Sequence, residues 1–248
     1  MTFMPSRRDL LTGLVGASLA GLVAATLPVG GGAVAADVST PVLSGLAWRS
    51  GSNTAGFSCL AQLRSRPLDA VVTFVPGDQG FARMINFTAG TYWRGQAKKA
   101  PLVVVSLPLL TEETQGQFAR CAAGAFDASW RQIGTNLNAV GAPGMVVRLG
   151  WEANIGSKSH PWGVDTPDQV PSYIACWRRA AAQLKSTAPG IRLEWTNSKK
   201  TTNTSLDVFA MNPGDDVVDL WGVHYYDSGP VKSIHPAWAA LRDGRRRG

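Results

Sequence analysis

The residues best suited to chemistry lie in one stretch, MVVRLGWEAN at 145–154. It begins as a short apolar run typical of a buried strand, directly after the turn-forming sequence Gly-Ala-Pro-Gly. Arg148, Trp151, Glu152 and Asn154 then bring charged, aromatic and carboxamide groups to the point where the strand meets its loop. In barrels of alternating strands and helices, catalytic side chains lie at such strand ends. A carboxylate beside an indole and a carboxamide there indicates a site for a hydroxylated ring.

Glu152 is the candidate for proton transfer in this stretch. A carboxyl group that donates a proton near neutral pH needs a pKa above its ordinary value, and an apolar neighbour raises the pKa by desolvation. Trp151 is such a neighbour, so we expect a raised pKa for Glu152. On residue type alone, a structural glutamate that pairs with Arg148 or caps the next helix is an equally good interpretation.

Alternating strand and helix patterns must position these residues. Alternation repeated six times indicates a parallel sheet, either closed or open. No GxGxxG follows the first strand, which disfavours an open dinucleotide-binding sheet, and polar or aromatic residues at four strand ends favour a barrel. We predict a (β/α)8 TIM barrel of which this chain holds about six of the eight β/α units. The predicted strands are 41–48, 69–75, 101–107, 145–149, 191–195 and 219–225.

Helices are predicted in the connections. Helices are predicted at 56–66 and 167–188, and a short helical turn at 206–211. A helix start at 111–114 leads into helical spacing from 118 to 140. Residues 81–95 mix aromatic and polar side chains, so they form either a helix or a loop over a cleft.

Length and composition limit which class of protein this chain can belong to. The chain has 248 residues, 45% hydrophobic and 17% charged, which is typical of one folded α/β domain and not of a disordered chain. The formal charge is +7, and arginines near both ends supply much of the excess. No basic helix face with interleaved aromatic residues accompanies that charge, so nucleic acid is not an expected partner.

The first residues are typical of an export signal. Residues 6–11, SRRDLL, resemble the twin-arginine motif, an apolar run covers 10–27, and Ala-Val-Ala at 33–35 forms a small-x-small cleavage site. A membrane anchor is the alternative, because the run is nearly long enough to span a bilayer. The cleavage site favours removal. We therefore predict a signal peptide at 1–35 and a barrel domain at 36–248, secreted or periplasmic, with no membrane association after cleavage.

The three cysteines and three histidines are the candidates for disulfide bonds and metal binding. Cys59, Cys121 and Cys176 are widely spaced, which permits one disulfide in an oxidising compartment. Since Cys121 and Cys176 both lie in helical patterns, two buried free thiols are at least as good an interpretation. There is no zinc-binding pattern, and the histidines are too scattered for a metal site. We expect neither a metal nor an organic cofactor.

Two segments together resemble a known enzyme family. RLGWEAN followed by Pro-Trp-Gly at 161–163 resembles the acid/base segment of glycoside hydrolase family 26 and its relatives in the (β/α)8 glycosidase clan, the bacterial β-mannanases and related endo-glucanases. DVVDLWGVHYYD at 216–227 is similar to the sixth-strand segment of that family. The resemblance spans roughly 42–230. It implies a glycoside hydrolase that acts on a β-mannan or β-glucan type of polysaccharide with retention. We expect the exported protein to be a monomer.

The resemblance also implies roles for individual residues. Glu152 would be the general acid/base, Arg148 would support the floor of the site, and Asn154 would hydrogen-bond near the acid. Aromatic residues would contact the sugar, Tyr225 at the cleavage point. Further substrate-binding aromatic residues would be Trp48, Trp151, Trp162 and Trp195.

Other residues of these types are expected to be structural. For Trp130 and Trp177, which lie in helical patterns, core packing is the better interpretation. For Glu194, an ion pair with Arg192 or a lysine is a better interpretation than catalysis.

The chain departs from the family pattern in two ways. Trp151 stands where the family has histidine, and the family's nucleophile is a glutamate after a seventh strand, whereas no glutamate follows Glu194. We expect an N-terminal three-quarters of a glycosidase that lacks the nucleophile. The alternative is a non-catalytic carbohydrate-binding or exopolysaccharide-associated protein. In a third possibility Glu194 or Asp227 is the second carboxyl group, which needs a separation from Glu152 of about 5 Å for retention or about 6.5–9.5 Å for inversion.

Overall fold

Six parallel strands and the helices between them make up the fold. The computed structural model describes residues 42–46, 49–142, 144–201 and 206–225. The strands form one sheet in chain order, and every neighbouring pair is parallel. This is a partial (β/α) barrel and confirms the predicted fold class. The strands are β1 (Gly51–Asn53), β2 (Ala70–Phe74), β3 (Leu102–Leu107), β4 (Val146–Leu149), β5 (Arg192–Ser198) and β6 (Leu220–His224).

Six α-helices occupy the connections in the described ranges. Residues 81–95, which the sequence left open between helix and loop, are helical. The helices are α1 (Phe57–Arg64), α2 (Gly80–Ala89), α3 (Thr91–Ala97), α4 (Phe118–Ala122), α5 (Asp127–Asn138) and α6 (Val170–Thr187). Short 3-10 turns lie at Glu112–Thr114, Ala153–Ile155, Pro167–Gln169 and Phe209–Met211.

The single helix expected between 118 and 140 is divided in two. Gly124 separates α4 from α5 with a φ of +93°, a backbone conformation that favours glycine. A Cβ at this position would lie 2.9 Å from the Arg179 guanidinium and 3.2 Å from the Asp127 carboxylate, which form an ion pair. The break therefore places the start of α5 against α6.

The main core lies between the sheet and the helices. Alternate side chains of each strand point to this outer face, where Val71, Val105, Val147 and Leu193 are fully or almost fully buried. The other set points to the inner face of the sheet, and it includes charged residues of β4, β5 and β6. Because the strands are parallel, their carboxyl ends lie along the same edge and collect those residues in one place.

The first strand was predicted at the wrong position. Residues 42–46 form a turn and a bend, and β1 lies at Gly51–Asn53 in the predicted loop. The Asp69 carboxylate accepts hydrogen bonds from the backbone N–H groups of Ser44 (2.9 Å) and Ser50 (2.8 Å), which holds the preceding chain across the start of β2. Gly51 then approaches Ala70 so closely that any Cβ at 51 would clash. Side-chain capture by Asp69 therefore outweighs the β-propensity of the earlier apolar residues.

One disulfide joins two helices on the outer face. Cys121 of α4 and Cys176 of α6 are paired, with Cα atoms 5.0 Å apart, and Cys59 is an exposed free thiol. The sequence left open whether Cys121 and Cys176 form a disulfide or are buried free thiols, and in the structure they form a disulfide. A crosslink across 55 residues stabilises the folded chain by roughly 2–4 kcal/mol.

Other sequence predictions fall partly outside the described residues. Within the ranges that the structure describes, no helix is both long enough and apolar enough to cross a membrane. The predicted signal peptide and the boundary after residue 35 lie outside those ranges and stay predictions.

Replacing Asp69 tests whether its hydrogen bonds to Ser44 and Ser50 fix the position of β1. Burial raises the pKa of Asp69, but hydrogen bonds from Ser44 and Ser50 outweigh burial and lower it to about 2. The carboxylate therefore stabilises the fold fully above its ordinary pKa, and this contribution is lost as the pH falls from about 4 toward 2. We expect Asp69→Asn to lower the free energy of unfolding by about 2 kcal/mol at pH 7, with the difference shrinking toward pH 2. Urea unfolding at several pH values measures it.

The exposed Asp168 provides the matched control. Asp168→Asn is expected to change stability by less than about 0.5 kcal/mol. An equal loss for both variants, or a loss at Asp69 that is independent of pH, would contradict this explanation of β1.

Candidate active site

The loop after β4 is fastened to the strands on both sides. Gly150 N–H donates to the Leu107 carbonyl of β3, and Glu152 N–H donates to the Thr196 carbonyl of β5, each at 2.8 Å. A Cβ at Gly150, whose φ is +58°, would lie 2.8 Å from the Leu109 Cβ, so this position needs glycine. Glu152 itself has a φ of +54°, a conformation that costs a non-glycine residue about 1 kcal/mol or more. The two strand contacts hold Glu152 in that conformation.

The Glu152 carboxylate lies between two imidazoles. Its side chain is 7% exposed, its Oε1 is 3.1 Å from Nδ1 of His224, and its Oε2 is 3.4 Å from Nε2 of His160. His224 ends β6, and His160 comes from the loop that follows β4. Two segments that are 64 residues apart in the chain therefore meet at one carboxylate.

The pKa of Glu152 shifts in the direction opposite to the prediction. Burial raises this pKa, but the contacts and charges of His160 and His224 outweigh burial and lower it to about 2. The expectation of a raised pKa was wrong because it considered Trp151 and omitted both histidines. The Trp151 ring packs edge-on against Phe74 (5.4 Å between centroids) and Trp162 (4.6 Å). Glu152 is therefore a carboxylate throughout the neutral pH range.

The Trp162 indole is stacked on the His160 imidazole. The two rings are stacked, with centroids 4.8 Å apart and planes within 2° of each other. Trp162 Nε1 donates to the Trp151 carbonyl at 2.7 Å, and the residue is only 3% exposed. One face of this indole is covered by His160, so Trp162 positions the histidine in this structure. The predicted stacking of Trp162 on a sugar finds no open ring face here.

Trp195 lies on the other side of the sheet. Its indole is fully buried on the outer face, donates to the Tyr173 hydroxyl (3.2 Å) and packs edge-on against Trp221. A sugar has no access to this ring, so the prediction of a sugar platform at Trp195 was wrong. Core packing of Trp130 and Trp177 is confirmed, because both are fully or almost fully buried.

Asn154 fastens the end of β5. Its side chain is fully buried, with Nδ2 donating to the Ser198 carbonyl (2.9 Å) and the Lys200 carbonyl (3.0 Å) and Oδ1 accepting from Ser198 N–H (2.9 Å). The hydrogen bonds of Asn154 go to the backbone at the end of β5, and its predicted substrate-binding role stays a prediction. Asn154 shapes the site through the backbone of β5.

Arg148 and Glu194 form an ion pair on the inner face. Arg148 Nε lies 3.0 Å from Glu194 Oε1, and the Thr196 hydroxyl donates to the same carboxylate. Glu194 was expected to pair with Arg192 or a lysine, which was wrong, since Arg192 contacts the Gly144 carbonyl at 3.3 Å. The partner of Arg148 is thus not Glu152, whose side chain also caps no helix. Neither form of the structural-glutamate interpretation applies.

Tyr225 follows β6 at the same edge of the sheet. Its ring is about half exposed, and Lys199 Nζ lies 3.9 Å from the ring centroid as a cation–π contact. Lys199 N–H also donates to the His224 carbonyl at 3.1 Å, which ties the ends of β5 and β6 together. The role of Tyr225 at a cleavage point stays a prediction. Trp48 lies outside the described residues.

A cleft of about 220 Å³ opens beside Trp151. Phe74, the last residue of β2, is 46% exposed and faces this space together with Trp151. Asp78 and Glu112 are also among the residues that line it. Aromatic faces suit the C–H surfaces of sugar rings, and carboxylates accept hydrogen bonds from hydroxyl groups, so the lining has the chemistry of a carbohydrate site.

Sequence reasoning missed three residues of this site. His224 was identifiable, because alternation along β6 places it on the same face of the strand as Gly222. In the structure that face is the inner one, where Gly222 approaches Glu194 and Thr196 too closely for a Cβ. Phe74 is the second-last residue of the predicted strand 69–75 and was identifiable from its place near the strand end. His160 lies in a loop, and no periodic signal indicated its direction.

Comparisons with known proteins bear on the fold. No protein-family model matches the chain, and neither does any curated protein sequence. Among solved structures, the Bacillus subtilis mannanase BCman matches with a TM-score of 0.60 at 13% identity, covering 84% of this chain and 71% of that one. This chain has the fold of that mannanase. The sequence identity is too low to carry activity across, so the match confirms the predicted resemblance at the level of fold.

Two further structures agree. The YdhT protein from Bacillus subtilis matches with a TM-score of 0.59 at 12% identity, covering 84% of this chain and 72% of that one. The Bacillus subtilis mannanase man26 matches with a TM-score of 0.56 at 12% identity, covering 77% of this chain and 67% of that one.

Replacing Asn154 separates a structural role from a substrate-binding role. Asn154→Ala leaves the backbone groups of Ser198 and Lys200 without their side-chain partner, so we expect a loss of roughly 2–3 kcal/mol in unfolding free energy. Asn138→Ala, at an exposed position near the end of α5, is the control and should change stability by less than about 0.5 kcal/mol. Thermal and urea unfolding measure both. Unchanged stability with lost carbohydrate binding would instead support a substrate contact.

Proposed function

We propose that this protein is an exported glycoside hydrolase acting on a β-linked polysaccharide of the β-mannan or β-glucan type. Glu152 is the residue that exchanges a proton with the glycosidic oxygen. One observation carries the proposal: a buried carboxylate follows β4 at its carboxyl end in a partial (β/α) barrel, and Trp151, the residue before it, lines a cleft together with Phe74. The mannanase names of two structural neighbours agree with a polysaccharide substrate.

A two-carboxylate mechanism needs a second acidic group near Glu152. Among described residues, Glu194 is the candidate, because it lies on the inner face with Arg148 as its partner. Asp219 is unsuited, since it accepts from Leu193 N–H (2.7 Å) and Lys185 (2.8 Å) at the other end of β6. Asp227 lies outside the described residues. If neither Glu194 nor Asp227 serves, the nucleophile is missing from this chain and it binds polysaccharide without cleaving it.

Carbohydrate binding without catalysis is the second candidate function. The low pKa of Glu152 favours it, because a general acid must carry a proton and this carboxyl group, by itself, does not at neutral pH. The aromatic cleft remains useful in such a protein.

Two features support our proposal that the protein is exported from the cytoplasm. The twin-arginine-like motif at 6–11 and the small-x-small sequence at 33–35 indicate a cleaved signal. The Cys121–Cys176 disulfide suits the oxidising compartments outside the cytoplasm. We expect a monomer after cleavage, with no cofactor.

Hydrolysis of a panel of β-mannans and β-glucans by residues 36–248 tests the proposal. We expect release of new reducing ends, and Glu152→Gln should lower kcat/KM by roughly 10²–10⁴-fold because the proton-exchanging group is lost. The exposed Glu113→Gln is the matched control and should leave the rate unchanged. Affinity electrophoresis on the same polysaccharides measures binding independently of cleavage.

The combined outcomes separate the two candidates. Cleavage that depends on Glu152 supports the hydrolase. Binding by all three proteins without cleavage supports the carbohydrate-binding protein. Neither binding nor cleavage on any polysaccharide of the panel overturns both.

A further inference from the structure

The most unusual feature of the site is the pair of imidazoles on one carboxylate. His224 and His160 approach different oxygens of Glu152, at 3.1 and 3.4 Å, and their side chains are only 16% and 19% exposed. Backbone hydrogen bonds to β3 and β5 fasten the loop after β4. The two imidazoles add contacts to the side-chain carboxylate of Glu152.

The contact geometry indicates where the hydrogens are. A neutral imidazole has one N–H donor and one nitrogen lone pair, and a lone pair that faced a carboxylate oxygen at this distance would be repelled. We therefore assign a hydrogen to His224 Nδ1 and to His160 Nε2 where they face Glu152. When an imidazole is protonated, its positive charge strengthens the same contact.

Charged side chains of the neighbouring strands have contacts of their own. On the inner face, Arg148 is paired with Glu194, and at the end of β5 the Lys199 ammonium lies over the Tyr225 ring. The two imidazoles lie within 3.1–3.4 Å of the Glu152 carboxylate oxygens. This arrangement explains why burial fails to keep the carboxyl group protonated.

We propose that His224 stores the proton that Glu152 transfers, and that His160, stacked on Trp162, fixes the carboxylate between them. Both histidines are positioning residues that act through Glu152. The inference deepens the proposed hydrolase function and rests on it for its catalytic part. His224 is the store because its nitrogen is the closer one and because it lies on the same inner face as Glu194 and Arg148.

The transferred proton starts on His224 and returns to it at the end of the reaction. The Nδ1–H bond of the His224 imidazolium breaks as an O–H bond forms on Glu152, which leaves the imidazole neutral. That proton passes to the glycosidic oxygen while its bond to the sugar carbon breaks. Water supplies the hydroxyl group that the sugar carbon gains, and the second proton of that water returns through Glu152 to His224. The net reaction is hydrolysis of one glycosidic bond by one water molecule.

Carboxyl NMR tests the location of the proton without any need for activity. The chain contains only four glutamates, so a protein labelled with ¹³C at the glutamate carboxyl carbon gives four signals, and Glu152→Gln identifies the one from residue 152. We expect the Glu152 signal of residues 36–248 to keep its ionised shift down to pH 4. In His224→Asn, whose side-chain amide keeps an N–H donor but has no charge, Glu152 should titrate at least one pH unit higher.

His160→Gln is the matched variant for the second imidazole. Its amide nitrogen replaces Nε2, so Glu152 should shift in the same direction but by less. Circular dichroism and thermal unfolding verify that each variant is folded. A Glu152 signal that is protonated at pH 7, or that titrates identically in the parent and His224→Asn, overturns the inference even if the protein cleaves polysaccharide.

The pH profile of cleavage tests the catalytic part. In the parent protein, kcat should fall at high pH together with the NMR titration of the His224 imidazole. His224→Asn should lower kcat about 10–100-fold with little change in KM and should remove that alkaline limb, whereas His160→Gln should retain it. An alkaline limb that persists in His224→Asn overturns the inference. If no protein cleaves, the carboxyl titration still decides whether Glu152 is ionised and whether His224 keeps it so, and the hydrolase proposal fails separately.

Discussion

A carboxylate taken out of water must be compensated by charge or hydrogen bonds, and this requirement organises the site around Glu152. The residue follows β4 in a left-handed conformation that few side chains adopt, and backbone hydrogen bonds to β3 and β5 hold it there. Its two oxygens then face one imidazole from the loop after β4 and one from the end of β6. Displacing either β5 or β6 would leave a buried negative charge without its partners.

The surrounding residues satisfy that requirement indirectly. Both side-chain polar atoms of Asn154 hydrogen-bond to the backbone at the end of β5. The same strand carries the Thr196 carbonyl, which accepts a hydrogen bond from the Glu152 N–H. Trp162 is stacked on His160 and determines the direction of its ring. Residues that resemble substrate ligands in the sequence therefore serve to hold the carboxylate. Among the described residues, Phe74 and Trp151 have rings that line the cleft, and Tyr225 at the end of β6 has a half-exposed ring.

The sequence predicted the architecture well because the signals involved are local and repeated. Five of the six strands lie where apolar runs and turn residues placed them, and the parallel order follows from strict alternation with helices. β1 was misplaced because its position depends on Asp69, a single buried carboxylate that binds two distant backbone N–H groups. No pattern along the apolar residues at 41–48 contains that information.

The site was only partly predictable for a similar reason. Glu152 was identified by its place at a strand end, which is a property of the segment. The direction of its pKa shift depends on His160 and His224, which approach through tertiary contacts. Trp195 shows the opposite error: its type suggested a sugar platform, while the alternation of β5 places it on the helix side. Residue type identified candidate groups, and the face of each strand decided what those groups contact.

A crystal structure of the Glu152→Gln variant of residues 36–248 with a β-linked manno- or gluco-oligosaccharide tests the central claim most directly. The substitution keeps the shape of the side chain and prevents turnover. We predict a glycosidic oxygen within about 2.6–3.2 Å of the residue 152 side chain, with a sugar ring against Trp151 or Phe74. An oligosaccharide bound away from β4, or one whose glycosidic oxygens all lie beyond hydrogen-bond reach of residue 152, would contradict the account.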